Sequence, residues 1–337
     1  MKKRTYIITF LLGVVISLLV VFVQLPYYVT MPGAAQALEP LVHVENGDRD
    51  KGRLMLTTVR MGRANIAAYL LAHIRPYYEL YPLKAIKQEG ETDEEYTLRQ
   101  LQLMEESKEA AIVVAYQHAH KPVTYQPRGV YVMSIVPGMP ADHVLQVGDR
   151  IVRIDGKPVS TSKQLIEYVR QKKKGDRVTI TWKRDGKEQT ATLALAPFPQ
   201  ASKQVGLGLS PMTDYDVVTQ PPVQIDSEKI GGPSAGLMFS LEIYNQLVEE
   251  DITKGHKIAG TGTISMSGEV GPIGGISQKV VAADEAGADI FFAPNEKGAK
   301  NSNYREAVKT AKKIGTKMKI VPVDTFADAL RYLQTLQ

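Results

Sequence analysis

From Tyr6 to Leu25 the chain runs for 20 residues without a formal charge, directly behind Lys2, Lys3 and Arg4. As a helix, at about 1.5 Å per residue, such a run spans roughly 30 Å, the thickness of a bilayer's hydrocarbon core. A cleaved signal peptide is one reading; it has a shorter apolar core, roughly 7–15 residues, with a small-residue cleavage site close behind. Ala35-Gln36-Ala37 has that composition, but it lies about ten residues beyond the apolar run. An uncleaved anchor is the preferred reading. The cationic flank (residues 1–5) then stays in the cytoplasm, residues 6–25 cross the membrane, and the remainder lies outside.

At 337 residues there is room for two domains beyond the anchor. The sequence contains no cysteine, which excludes disulfides, a thiol nucleophile and a thiolate-bound metal. No HExxH motif is present, so a zincin is excluded and no metal is expected. The net charge of +5 includes three charges of the anchor's flank; the balance is too mild for a nucleic-acid partner.

Residues 26–120 form an N-terminal extracytoplasmic segment. "GRLMLTTVRM" (52–61) reads as a buried strand, and a Tyr/Pro-rich stretch runs from Pro76 to Pro82. Thr92 and Glu95 have capping-box spacing, and Leu101, Met104, Ala111 and Ala115 recur at helical intervals. The strand at 53–61 could add itself to a sheet built from the far end of the chain. In that case the module between them is an insertion.

Between residues 121 and 197 the texture turns to β. "RGVYVMSIV", "VGDRIVRIDGKPV" and "DRVTITWKRDGKEQTATLAL" are strands around DG turns, and "TSKQLIEYVRQ" is a helix. These stretches resemble a PDZ domain of the bacterial protease-associated kind. The resemblance implies binding of a peptide along an exposed strand edge, with backbone N–H groups collecting its carboxylate. It puts that role on Arg128, Gly129, Val130 and Tyr131. The alternative is a module that packs on its neighbour and binds nothing. Lys172, Lys173 and Lys174 read as a solvated loop.

From residue 200 to 337, strands and helices mix in an α/β pattern. "KIGGPSAGLMFS" (229–240) places Ser234 between a Gly-Pro turn and an apolar helix. Serine there is a preferred N-cap. The same position, with unpaired N–H groups around it, suits a nucleophile attacking a carbonyl, provided a base is at hand. Of the six histidines (His43, His73, His118, His120, His143 and His256), only His256 lies in this region, and its surroundings argue for no triad. "GEVGPIGGISQKVVAADEAG" (268–287) offers a lysine instead. Ser277 is the expected cap, and Lys279 falls in the first turn, where a cation opposes the helix dipole. With burial among Ile276, Val280 and Val281, its pKa would drop far enough for a general base. A lysine that reaches back to solvent is the competing reading.

"GGPSAG" and "GEVGPIGGISQK", taken together, closely resemble the proteolytic domain of Lon proteases, over roughly residues 200–337. The resemblance implies Ser234 as nucleophile, Lys279 as general base and Thr261, in "TGTISMSGEV", as the residue that orients the lysine. Backbone groups of Gly232 and Ala235 are the implied oxyanion supports. Two departures stand out: Gly231 and Thr263 occupy places where ATP-dependent Lon enzymes commonly carry acidic residues. No GxxxxGK[ST] sequence occurs, so no nucleotide, no unfolding motor and no cofactor are expected. With its PDZ-like module and anchor, the chain resembles a membrane-anchored Lon-like protease of the YlbL/SepM type. The fold expected is therefore an α/β (α+β) proteolytic domain plus a mainly-β PDZ domain after one transmembrane helix. The function implied is ATP-independent cleavage of small secreted or single-pass membrane peptides, such as a division inhibitor or pheromone precursor. A catalytically silent, membrane-tethered peptide-binding scaffold is the alternative.

Overall fold

The computed structural model describes residues 2–47, 51–88, 90–199, 201–227 and 230–336. Helix α1 (Lys2–Phe22) is apolar, contains the 20-residue span Lys3–Phe22 and buries none of it in the protein. One residue later strand β1 (Gln24–Ala37) begins, followed by β2 (Val42–Val44), β3 (Arg53–Asn65), α2 (Ile66–Ile74), β4 (Glu79–Pro82), α3 (Leu83–Ile86) and α4 (Asp93–His118). The Thr92/Glu95 capping box of α4 forms in both directions, with Asp93, Glu94 and Glu95 favoured by the positive helix end.

The next unit holds β5 (Val123–Ile135), β6 (Arg150–Ile154), β7 (Lys157–Pro158), α5 (Ser162–Arg170), β8 (Arg177–Arg184), β9 (Lys187–Ala194), β10 (Ala196–Phe198), β11 (Ala201–Gly206) and β12 (Leu209–Thr219). Its sheet runs β12-β5-β6-β8-β9, with β7 on β6, over a core of its own that includes Val130, Ile151, Ile180 and Trp182. The unit does not end near Pro197. Strand β12 pairs with β5 from Leu209↔Ile135 to Thr219↔Val123, so residues to 219 complete this sheet rather than opening the last domain.

The chain continues through β13 (Val223–Ile225), a 3-10 turn at Pro233–Ala235, α6 (Gly236–Leu247), β14 (Lys257–Gly260), β15 (Thr263–Ile264), β16 (Val270–Gly271), α7 (Ile276–Glu285), β17 (Ile290–Pro294), α8 (Asn303–Ile314), β18 (Lys319–Val323) and α9 (Phe326–Leu333). The large sheet has the order β18-β17-β14-β3-β1-β4. Strand β3 therefore does join the strands of the far end, pairing in parallel with β14 from Arg53↔Lys257 to Leu56↔Gly260. The PDZ-type unit is inserted between the two parts of one sheet.

Alternation along these strands divides the core in two. Leu54, Leu56, Ile258 and Phe292 face a cluster with α4, α6 and α9, whereas Met55, Ala259 and Phe291 face one that includes Ile276, Val280 and Ala307 of α7 and α8. The result is three layers, helix–sheet–helix. Helix α6 lies so deep that all of its residues except Tyr244 are buried.

Candidate active site

Ser234 and Lys279 start on opposite faces of the large sheet. The serine precedes α6 on one face, and the lysine lies on α7 on the other. They meet beyond Gly260, where β14 stops, a carboxyl end of the kind at which open α/β sheets place ligands. Thr261, fully buried, occupies that end.

Three contacts close the group. Lys279 Nζ lies 2.7 Å from Ser234 Oγ and 2.9 Å from Thr261 Oγ1. The Thr261 hydroxyl donates its own proton to the carbonyl oxygen of Ser234 at 2.9 Å, so its lone pairs are what the amine meets. Lys279 is 2% exposed and does not reach solvent. Burial alone pushes its pKa down from the ordinary lysine value to about 7. Among the described residues no carboxylate pairs with it.

Both expected caps take other partners. The Ser234 hydroxyl makes no cap bond; the serine sits inside the 3-10 turn, and α6 starts at Gly236 without a side-chain cap. Helix α7 is entered through Gly275 at φ 70°, while Ser277 Oγ bonds Glu306 and Thr310 on α8. Local spacing gives each hydroxyl the place of a cap, but a partner from another element claims it.

Of the implied oxyanion supports, Ala235 is the buried last residue of the 3-10 turn Pro233–Ala235 that carries Ser234. Gly232 differs: its N–H donates to the carbonyl of Gln100 on α4 at 2.8 Å. It holds φ 86°, which favours glycine. Helix α4 grips the same loop again through Ser107, whose hydroxyl donates to Pro233 O at 2.9 Å. Neither Gln100 nor Ser107 stands out in sequence, where α4 reads as a structural helix.

A cleft of about 450 Å³ opens over the pair, walled by β3, α4 and the Pro272–Gly274 loop. The wall from β3 consists of Leu56 to Val59, and pairing with β14 has already ended at Leu56. His256 lies at the opposite end of β14, beside Asp289 at 3.8 Å, and takes no part in the cleft.

The peptide-binding residues expected in the PDZ-type unit are corrected. Strand β5 is paired on both sides, with β12 and β6, at Val130 and Tyr131. Arg128 is held by Asp214 of β12 at 2.7 Å, and Asp214 also holds Arg150 at 2.6 Å. The free edge on this side is β12, with α5 alongside: the Ser162 N–H donates to Thr213 Oγ1 at 3.0 Å. The loop entering β12 is Gly206-Leu207-Gly208-Leu209. Gly208 has φ 80°, and a Cβ there would fall 2.0 Å from Met139 Cβ. That glycine-rich run was the sequence signal available for this edge.

Fold and site thus define a molecule with a PDZ-type sheet inserted into a three-layer α/β unit that carries a half-buried serine against a buried lysine. Family profiles agree with both parts: a PDZ domain matches residues 101–195, and the Lon protease (S16) C-terminal proteolytic domain matches residues 166–335. The chain belongs to the Lon protease (S16) proteolytic-domain family. Lon protease of Campylobacter concisus is 37% identical over 101 residues, 30% of this chain and 12% of that one. Lon protease of Metamycoplasma arthritidis is 27% identical over 158 residues, 44% of this chain and 17% of that one. The chain thus spans only a small part of the length of these curated relatives. Among solved structures, the PDZ domain of an SdrC-like protein from Listeria monocytogenes is 37% identical, covering 26% of this chain and 90% of that one, with a TM-score of 0.24.

Proposed function

We propose that the chain is a membrane-anchored serine endopeptidase that needs no ATP, with Ser234 as nucleophile and Lys279 as general base. The observation that carries this is a buried lysine amine, without an anionic partner among the described residues, 2.7 Å from a serine hydroxyl at the floor of a cleft. Membership of the Lon family supports the peptidase class.

With pKa about 7, a large share of Lys279 is neutral at physiological pH. The 2.7 Å contact then reverses: Ser234 O–H donates to the amine lone pair, while an Nζ–H stays on Thr261. Lys279 takes the serine proton as Oγ bonds to the scissile carbonyl carbon. The oxyanion faces the backbone N–H of Ser234, a donor of the kind that contributes on the order of 10²–10³ in rate. Collapse expels the amine, which leaves with the proton from Lys279. Water, deprotonated by the same lysine, then hydrolyses the acyl-enzyme. An extended substrate can pair with the main chain of β3 at Thr57–Val59. The PDZ-type unit would hold another part of the same peptide along β12 and α5, raising its effective concentration at the cleft.

Helix α1 is the proposed anchor, with Lys2, Lys3 and Arg4 on the cytoplasmic side and the catalytic unit outside. With no GxxxxGK[ST] sequence in these 337 residues, the proposed substrates are peptides or flexible segments of secreted or single-pass proteins. The test is cleavage of an unstructured protein by the full chain in detergent, with a serine-directed phosphonate probe alongside. Ser234→Ala and Lys279→Ala should abolish both signals without ATP being present. Unchanged cleavage in either variant refutes the assignment. Peptide binding with no probe labelling would make the chain a silent scaffold.

A further inference from the structure

Helix α2 is nine residues long, "IAAYLLAHI", and none of them is buried. Leu70 is 56%, Leu71 45% and Ile74 78% exposed, a density of bare aliphatic surface that a water-facing helix does not carry without cause. Its position supplies the cause. The side chain of Asn65 caps α2 through the Ala68 N–H at 2.8 Å, and its amide donates to Val21 O, in the last turn of α1, at 2.9 Å. The start of α2 is therefore bonded to the point where the apolar α1 ends. Tyr27, near the start of β1, packs at 5.5 Å on Tyr69 of α2.

Charge borders the apolar face. Arg75 caps the end of α2 and is exposed. Two residues further, the Tyr77 ring lies 5.4 Å from Lys313 Nζ. Arg305, Lys309 and Lys313 recur every four residues on one face of α8, and with Lys300 they line a cavity of about 550 Å³ that also touches Tyr77, Glu79 and Glu306. Aliphatic residues, interfacial tyrosines and a cationic rim in this order match the profile of a helix lying in a membrane interface.

We propose that α2 is a second membrane contact: it lies in the outer leaflet of the bilayer that α1 spans, with Leu70, Leu71 and Ile74 among the upper acyl chains and the cationic rim against anionic phospholipid headgroups. This rests on α1 being a membrane span. Only Val23 separates α1 from β1, and β1 and β3 belong to the catalytic sheet, so the two contacts fix the height of the cleft. From Asn65 back to Val59 the chain climbs six residues of strand, roughly 20 Å at about 3.3 Å each. The cleft then faces the juxtamembrane part of a substrate, not its distal end.

Because the chain has no cysteine, single cysteines can be labelled without background. Full-length protein carrying Leu70→Cys, Leu71→Cys or Ile74→Cys is labelled with an environment-sensitive fluorophore and reconstituted in phosphatidylcholine–phosphatidylglycerol vesicles. Val14→Cys in α1 and Val218→Cys on the PDZ-type unit are the controls. Lipids bearing a nitroxide near the headgroup, or near the chain terminus, act as quenchers. The expected result is strong quenching of the α2 labels by the shallow nitroxide, of Val14→Cys by the deep one, and of Val218→Cys by neither. Unquenched α2 labels with a deep-quenched Val14→Cys overturn the proposal and leave the anchor standing. An unquenched Val14→Cys overturns the anchor and the proposal with it. Disulfide-linked dimers through residue 70 or 74, without lipid quenching, make the face a contact between copies and also overturn it.

Discussion

Replacing Lys279 by methionine should stabilise the protein in a pH-dependent way. Burial lowers the amine from 10.5 to about 7, a gap worth about 5 kcal/mol at about 1.4 kcal/mol per pH unit. Below pH 7 the lysine is protonated in both states, and the folded chain carries the whole cost of a buried ammonium. Between 7 and 10.5 the unfolded chain holds a proton that the folded chain has released, so stability rises with pH. Above that window both forms are neutral and the cost is gone. Lys279→Met removes the titration and also the two hydrogen bonds to Ser234 and Thr261, together about 2 kcal/mol. The variant should therefore be more stable than the parent by about 3 kcal/mol near pH 6, and lose that advantage by about pH 10. For a unit of this size that is a shift in melting temperature on the order of 6–12 °C. Calorimetry of the two full-length proteins in the same detergent, from pH 6 to 10, measures it. Trp182, the one tryptophan, lies in the PDZ-type core, so its fluorescence transition supplies an internal reference that should not move. A constant offset across the pH range, or a parent more stable than the variant at pH 6, rules out a lysine whose burial lowers its affinity for the proton.

Cleavage by the parent should rise with pH through a midpoint near 7, measured as kcat/KM on a fluorogenic peptide; a flat profile over pH 5.5–8.5 contradicts a titrating lysine base. Thr261→Val strips the amine and the Ser234 carbonyl of one partner each, so kcat should fall while KM changes little, with folding stability lower by about 1–3 kcal/mol. Glu109 on α4 is held protonated, at about 8, by burial and then by Asp214. From pH 4.5 to 8 the folded chain keeps a proton that the unfolded chain has released, so stability falls as pH rises, and Glu109→Gln should stabilise most at pH 8 and above, read by the same calorimetry. Gly208→Ala should abolish peptide binding in a titration and lower the Trp182 transition, because the added methyl meets Met139 in a left-handed backbone. With peptides tethered to the vesicle through spacers of graded length, cleavage should begin once the scissile bond stands about 20 Å from the bilayer, the height that β3 sets; indifference to spacer length contradicts a fixed cleft.

Much of the chemistry is legible in one dimension because it rests on local chain geometry. The apolar run from Tyr6 reads as a membrane-length helix whatever domain it is joined to, although the helix spans Lys2–Phe22 and gives Gln24 and Leu25 to β1. Gly-Pro turns before Ser234 and Lys279 prescribe where two helices begin, and alternation with DG turns prescribes the inserted β unit. Local geometry does not carry the choice of partners. Ser234 and Ser277 have the spacing of caps, yet Lys279 and α8 claim their hydroxyls. Arg128 sits where a ligand carboxylate could be met, yet Asp214, 86 residues away, fills that place. Helix α4 has no catalytic signature, yet its Gln100 carbonyl takes the Gly232 N–H.

The division reflects what each level can encode. Residue order prescribes the elements and the membrane-length helix, since propensity, turn chemistry and hydrophobic period act over a few neighbours. The packed molecule decided three outcomes: β3, which the sequence only allowed to join the far-end strands, does so, β12 rather than β5 offers the open edge, and α2 stays bare beside the end of α1. A hydrogen bond or a sheet edge belongs to whichever group arrives first in space, and distance along the chain does not say which that is.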